Sequence, residues 1–257
     1  MTDADAPLFH AAGMTEVPVD DEWLTVPEAE RLASFPYAKR RSEARLGRWT
    51  AKNAVARVLH LGGWRGQLDG IVIRNAADGA PEVFLADTPA PFRISMTDRA
   101  DWAVCVVTQE GADVDVGCDL EVVEPRSRQF VRDWFTPLER DLVYGGDDAD
   151  LLANLVWSAK ESALKVLRTG LRRDTRSVEV RLFADERDGW NRMEIHSVEG
   201  SVFPGWWRRA GAFVFTFAAS RPTIPPAALD RPDPLDTAMP SHSWMDEPLQ
   251  GSPATRM

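Results

Sequence analysis

The chain has 257 residues, 44% hydrophobic and 27% charged, an ordinary soluble globular composition with room for one large domain or two small ones. Its two cysteines, Cys105 and Cys118, form no CxxC pair and have no histidine close by in sequence, which excludes a disulfide framework and a thiolate zinc site. A net charge of −10 and the lack of any apolar run near the ~18 residues of a membrane span argue against nucleic-acid and membrane partners, and the expected compartment is cytoplasmic.

Residues 1–22 are acidic and non-periodic and read as disordered. Arg40 to Leu61 lacks proline, spaces Leu46, Trp49, Ala54, Val55, Val58 and Leu59 at three- and four-residue steps, and ends at Gly62-Gly63, which predicts a long amphipathic helix with a basic polar face. Short β-prone runs at 70–74, 82–85, 92–96 and 102–108 predict a small antiparallel sheet. Another β-prone run, Asp113 to Glu121, leads to Thr136-Pro137-Leu138-Glu139, where Thr136 caps a helix, Pro137 opens it and Glu139 completes a capping box. A further helix is expected from Ala149 to Thr169, stopped by Gly170, then strands at 177–182, 190–196 and 211–219. From Pro222 the chain is proline-rich, so 223–257 reads as a disordered tail. Long helix then strands, twice, suggests two similar α+β halves, 23–111 and 112–222.

Only four lysines occur, Lys39, Lys52, Lys160 and Lys165, and two of them fall within six residues. A compact ammonium suits a phosphate or proton-transfer site, although a solvated helix face explains the clustering as well. In VDVGCDLE, residues 114–121, Asp119 and Glu121 lie two apart on a strand and project from one face, a spacing at which carboxylates can share a hard cation. In WSAKESALKVLRTG, residues 157–170, Glu161 and Lys165 are i,i+4 on a helix, the spacing of a simple helix ion pair. Set against the strand, this helix could bring three carboxylates together with two lysines, a combination suited to Mg and a phosphate chain. His10, His60, His196 and His242 show no ligand spacing.

GCDLE followed about 35 residues later by WSAKESALK resembles the two signature motifs of the surfactin-type (Sfp-type) 4′-phosphopantetheinyl transferases. FTPLER, residues 135–140, is similar to the family's segment between the motifs, and RRSEARLGRWTAKNAV is similar to its basic N-terminal helix. The resemblance covers roughly residues 35–220. It implies two pseudo-symmetric α+β halves and transfer of the phosphopantetheine arm of coenzyme A, the co-substrate, to a serine of an acyl or peptidyl carrier protein by a monomer. It also implies that Asp119, Glu121 and Glu161 bind Mg, and that Lys160 and Lys165 hold phosphate oxygens. Arg40 and Arg48 would line the coenzyme site, and Glu161 would be the base for the serine.

Two departures stand out. The family's Ser or Thr followed by His reads Thr97-Asp98, and its Gly-Lys-Pro turn reads Gly79-Ala80-Pro81. Both remove positive charge from the nucleotide end, so either the donor's ribose 3′ end is held by Asp98 as a hydroxyl, or Arg93 or Arg99 replaces the lost charge. The alternative to an enzyme is a repurposed carrier-binding member of the fold, and a metal-dependent hydrolase of coenzyme A or nucleotides would use the same groups.

Overall fold

Strict alternation along the strands sorts their side chains into two faces, and the result is a four-layer α/β/β/α stack. The computed structural model describes residues 6–61, 67–109 and 114–243. The first sheet has the order β12-β1-β6-β5 and the second β7-β11-β10-β9-β8. Their strands are β1 (Leu8–Gly13), β5 (Phe92–Arg99), β6 (Trp102–Gln109), β7 (Val116–Val122), β8 (Val178–Arg187), β9 (Trp190–Ser197), β10 (Val202–Ala210), β11 (Phe213–Ala219) and β12 (Ala227–Ala228). Phe9, Val104 and Val106 of the first sheet share one buried core with Cys118, Leu120, Phe213, Phe215 and Phe217 of the second. The intervening residues face outward onto helices. Cys105 and Val107 meet Ala51, Ala54 and Val55 of α2 (Ala38–Val58), and Ala218 meets Ala159 and Ala163 of α5 (Ala149–Val166). A separate three-stranded sheet, β2 (Ile71–Asn75), β3 (Pro81–Leu85) and β4 (Thr88–Pro89), buries Ile71, Ile73 and Val83 beside α2. The runs expected as one antiparallel sheet are thus split between two.

Two matching clusters mark the repeat. Thr25 caps α1 (Val26–Ala33) and Thr136 caps α4 (Pro137–Gly145), each in a capping box closed by a glutamate. Glu28 then pairs with Lys52 of α2 at 2.6 Å and accepts from the Ile73 backbone N–H at 3.0 Å. Its counterpart Glu139 pairs with Lys160 of α5 at 2.8 Å and accepts from the Val180 N–H at 2.9 Å. Both ammonium groups are fully buried and use backbone carbonyls for their remaining protons, Trp23 and Leu68 for Lys52, Thr175 and Val178 for Lys160.

The ends depart from expectation. The segment read as disordered over 1–22 contains β1, which lies inside the first sheet and pairs with β6 from Leu8↔Val107 to Gly13↔Trp102. The tail read as disordered from 223 packs as far as Ser243. Its β12 runs parallel to β1, and Leu235 and Ala238 are buried in the core between the sheets. Few large apolar residues do this work, which is why composition alone misread it. Strand β10, α1 and α3 (Arg128–Trp134) lack a sequence-based expectation. The expected boundary between halves near 112 and the helix stop at Gly62-Gly63 lie outside the described residues.

Candidate active site

Gly117 lets strand β7 and helix α5 approach closely: a Cβ there would lie 1.9 Å from the Ser162 carbonyl oxygen. Small polar residues continue the close contact, with the Ser158 and Ser162 hydroxyls each 2.8 Å from the Thr216 hydroxyl of β11. The strand face bearing Asp119 is thereby laid against the helix face bearing Glu161 and Lys165. Lys165 donates to Asp119 Oδ1 at 2.8 Å and to the Cys118 carbonyl at 2.8 Å. Thr97 of β5 donates to the same Oδ1 at 2.9 Å and accepts from the Leu120 N–H at 3.3 Å. Together with Ser95, which accepts from the Cys118 N–H at 2.9 Å, these hydroxyls join the edge strands of the two sheets.

Two carboxylate oxygens here, Asp119 Oδ2 and Glu161 Oε1, are buried without a hydrogen-bond partner. Burial first, and then the Asp119 charge, push Glu161 up to about 7 against the opposing pull of Lys165. Burial alone would lower the Lys165 pKa, but Asp119, Cys118 and Glu161 outweigh it and hold the ammonium above its usual range. Two orphaned carboxylate oxygens on facing elements fit a hard cation, and Mg commonly takes one or two protein carboxylates together with water and phosphate oxygens. No group of three or more His, Cys, Asp or Glu side chains is arranged as a metal site among the described residues.

The third expected carboxylate is committed elsewhere. Glu121 Oε2 lies 2.9 Å from Arg126 Nη2 and 3.4 Å from Arg99 Nε, so its charge is already neutralised by two buried arginines. Lys160 is likewise not at the site. Adjacent helical residues differ by about 100° in direction, and while Glu161 faces β7, Lys160 is sealed against Glu139 and cannot reach a phosphate.

A cleft of about 590 Å³ opens beside Lys165, lined by the Asp78–Pro81 turn, by Arg93 and Ser95 of β5, and by Arg168 and Arg172. Asp98 presents an accessible carboxyl in a crowded position. Desolvation by its surroundings and the Glu43 charge push it up to about 6, against Lys165 and Arg40. Arg40 itself is exposed and 3.7 Å from Glu43. Arg48 instead lines a second cleft of about 670 Å³ with Arg31 and donates to Asn75 Oδ1 at 2.7 Å, with Asn75 lining both clefts. Arg99, one of two residues considered as a replacement for lost positive charge, is buried between Glu121 and Glu124, which leaves Arg93.

Sequence reasoning missed Arg126, Arg168 and Glu43. The last two carried a signal, since Arg168 follows Lys165 by three positions and Glu43 follows Arg40 by three. The first half holds a different set at matching positions. Asn53 follows Lys52 as Glu161 follows Lys160, and Arg57 stands where Lys165 stands in α5. Arg57 pairs at 3.1 Å with Asp230 of the C-terminal segment, which also binds the buried His10.

The cleft carries Arg93, Lys165, Arg168 and Arg172 but also Asp78, Glu82 and Asp115, with Arg168 paired to Asp78 and Glu82. Two carboxylates and a lysine beside it are suited to chemistry at phosphate, where positioning and charge neutralisation carry most of the catalysis. Residues 115–205, which supply that centre, match the family model of the 4′-phosphopantetheinyl transferase superfamily. Similar solved structures include a holo-(acyl-carrier-protein) synthase from Bacillus anthracis in complex with CoA (3′,5′-ADP). It is 19% identical, with 42% of this chain and 97% of that chain covered and a TM-score of 0.35. A holo-[acyl-carrier-protein] synthase from Thermotoga maritima is also 19% identical, with 51% and 75% covered and a TM-score of 0.33. No curated protein matches the chain in sequence. Among the described residues no helix is long and apolar enough to cross a membrane.

Proposed function

We propose that the chain is a magnesium-dependent 4′-phosphopantetheinyl transferase acting on an acyl or peptidyl carrier protein. The observation that carries this reading is the joining of Asp119, Glu161 and Lys165 by the close contact of β7 and α5. The serine oxygen of the carrier attacks the β-phosphorus of coenzyme A and the bond to the bridging oxygen breaks, which releases adenosine 3′,5′-bisphosphate. Glu161, directly or through a metal-held water, would accept the serine proton. Lys165, held by Asp119 and the Cys118 carbonyl, would stabilise charge growing on the leaving phosphate, and Thr97 donates to Asp119 and holds its rotamer. Asp119 and Glu161 would hold Mg, which would supply Lewis-acid neutralisation of the pyrophosphate. Trp134, Leu138 and Tyr144 are exposed on α3 and α4 and offer an apolar surface to a carrier helix, with Arg132, paired to Asp133, on α3 as well.

The test is mass spectrometry of an apo carrier protein incubated with the chain, Mg and coenzyme A. A gain of the phosphopantetheinyl mass, lost in Lys165→Ala, is expected. No gain across several carriers would overturn the reading, and retained carrier binding would then favour a repurposed binding member, the reading to which Asp98 and the neutralised Glu121 lend weight.

A further inference from the structure

The segment after β11 crosses both sheets. Ala227 donates to the Pro7 carbonyl at 2.9 Å and Leu229 to the Phe9 carbonyl at 2.8 Å, so this stretch closes the free edge of β1. Arg208 of β10 then holds Asp233 and Asp236, and Leu235 is fully buried between the sheets. Beyond it, the Met239 carbonyl accepts from Trp102 Nε1 at 3.0 Å, and Ser241 N–H donates to the Ala100 carbonyl at 3.2 Å. The segment thereby reaches the far end of the β5–β6 hairpin, and there Ser243 Oγ donates to Glu124 Oε2.

Glu124 is 6% exposed and its other oxygen takes Arg99 Nη2 at 3.0 Å. Arg99 in turn pairs with Glu121, as does Arg126, whose Nε donates to Asn154 of α5 at 2.6 Å. Asn154 donates to the Glu124 carbonyl at 2.6 Å and so closes the circuit. Two arginines and two glutamates balance, and Glu121 sits two residues from Asp119 on the same face of β7.

We propose that residues 222–243 are a strap that positions the active-site strand, with Ser243 anchoring Glu124, and Glu124 acting through Arg99 on Glu121 to fix the C-terminal end of β7. Glu124 and Ser243 are positioning residues. A buried charged circuit with one member released loosens locally, because the freed carboxylate oxygen seeks water. The inference rests on the transferase reading for its kinetic consequence, but not for its structural one.

The experiment compares the full chain with a chain ending at Pro240 and with Ser243→Ala and Ser243→Thr. Hydrogen exchange of the Cys118 to Glu121 amides is followed together with carrier modification. Chain ending at Pro240 and Ser243→Ala should raise exchange over Cys118 to Glu121 by about tenfold relative to β9. They should also lower kcat by about tenfold at a little-changed KM for coenzyme A. Ser243→Thr, which keeps the hydroxyl, should restore both. Unchanged exchange in β7, or an equal rise in β7 and β9 with no rescue by threonine, overturns the proposal. If the full chain modifies no carrier, the exchange comparison still decides the strap.

Discussion

Replacing Lys160 with methionine separates a structural lysine from a phosphate-binding one. Its ammonium is fully buried and holds Glu139 Oε2 at 2.8 Å together with the Thr175 and Val178 carbonyls, so Lys160→Met leaves one carboxylate and two carbonyls facing apolar atoms. Breaking a buried pair by removing one partner costs about 3–5 kcal/mol. For a chain of this size that lowers Tm by about 6–20 °C. Burial pushes the Glu139 pKa up and the Lys160 pKa down, so adding Glu139→Gln should recover part of the loss by removing the stranded charge while an amide oxygen still serves the Val180 N–H. Lys52→Met should behave alike, since Lys52 meets Glu28, Trp23 and Leu68 in the same way. Thermal melts and carrier modification on the same samples provide the assay, read at a temperature where each variant is folded. A Lys160→Met protein with an unchanged Tm and a hundredfold lower kcat would refute the structural assignment and return Lys160 to the phosphates.

Glu161→Gln removes a carboxylate whose folded pKa lies above its unfolded value of 4.5. That group's stabilising contribution is complete below pH 4.5 and is lost as pH rises through about 7, so without added metal the variant should gain Tm over wild type at pH 8 and not at pH 5. A pH-independent difference would count against the raised pKa. Gly117→Ala should destabilise the chain by more than about 3 kcal/mol, because backbone and not a mobile side chain occupies the space; wild-type denaturant unfolding would refute this. Carrier association should slow with salt if opposite patches steer it, and Leu138→Asp should weaken it about tenfold; salt-independent encounter would point to a purely apolar contact.

Where a single local rule governs, the sequence was readable. The Thr136 cap with Glu139 and the start of α5 near Ala149 follow from capping chemistry and helical spacing, and the alternation in VDVGCDLE puts Asp119 and Glu121 on one face. Lys160 and Glu161 were not separable, because adjacent charges on a helix say nothing about which one faces the core. The partner that settles it, Glu139, lies 21 positions away. The same holds for Glu121, whose neutralising arginines come from a neighbouring sheet and a loop. The repeat was readable from the order of elements, but its residue-level mark, a threonine and glutamate three apart followed 24 or 21 residues later by a lysine, needed the buried pairs to stand out. The tail was misread because proline-rich composition was weighed without the indole N–H groups whose protons its backbone carbonyls accept, those of Trp102 and Trp206.

The contact of Gly117 with the Ser162 carbonyl makes the gap between Asp119 and Glu161 a dimension of the main chain. Asp119 and Glu161 are therefore carried on two backbones that cannot part or close without strand and helix moving as bodies. A bulkier residue at 117 would act on both carboxylates and on Lys165 at once, through the main chain and without touching any of the three side chains.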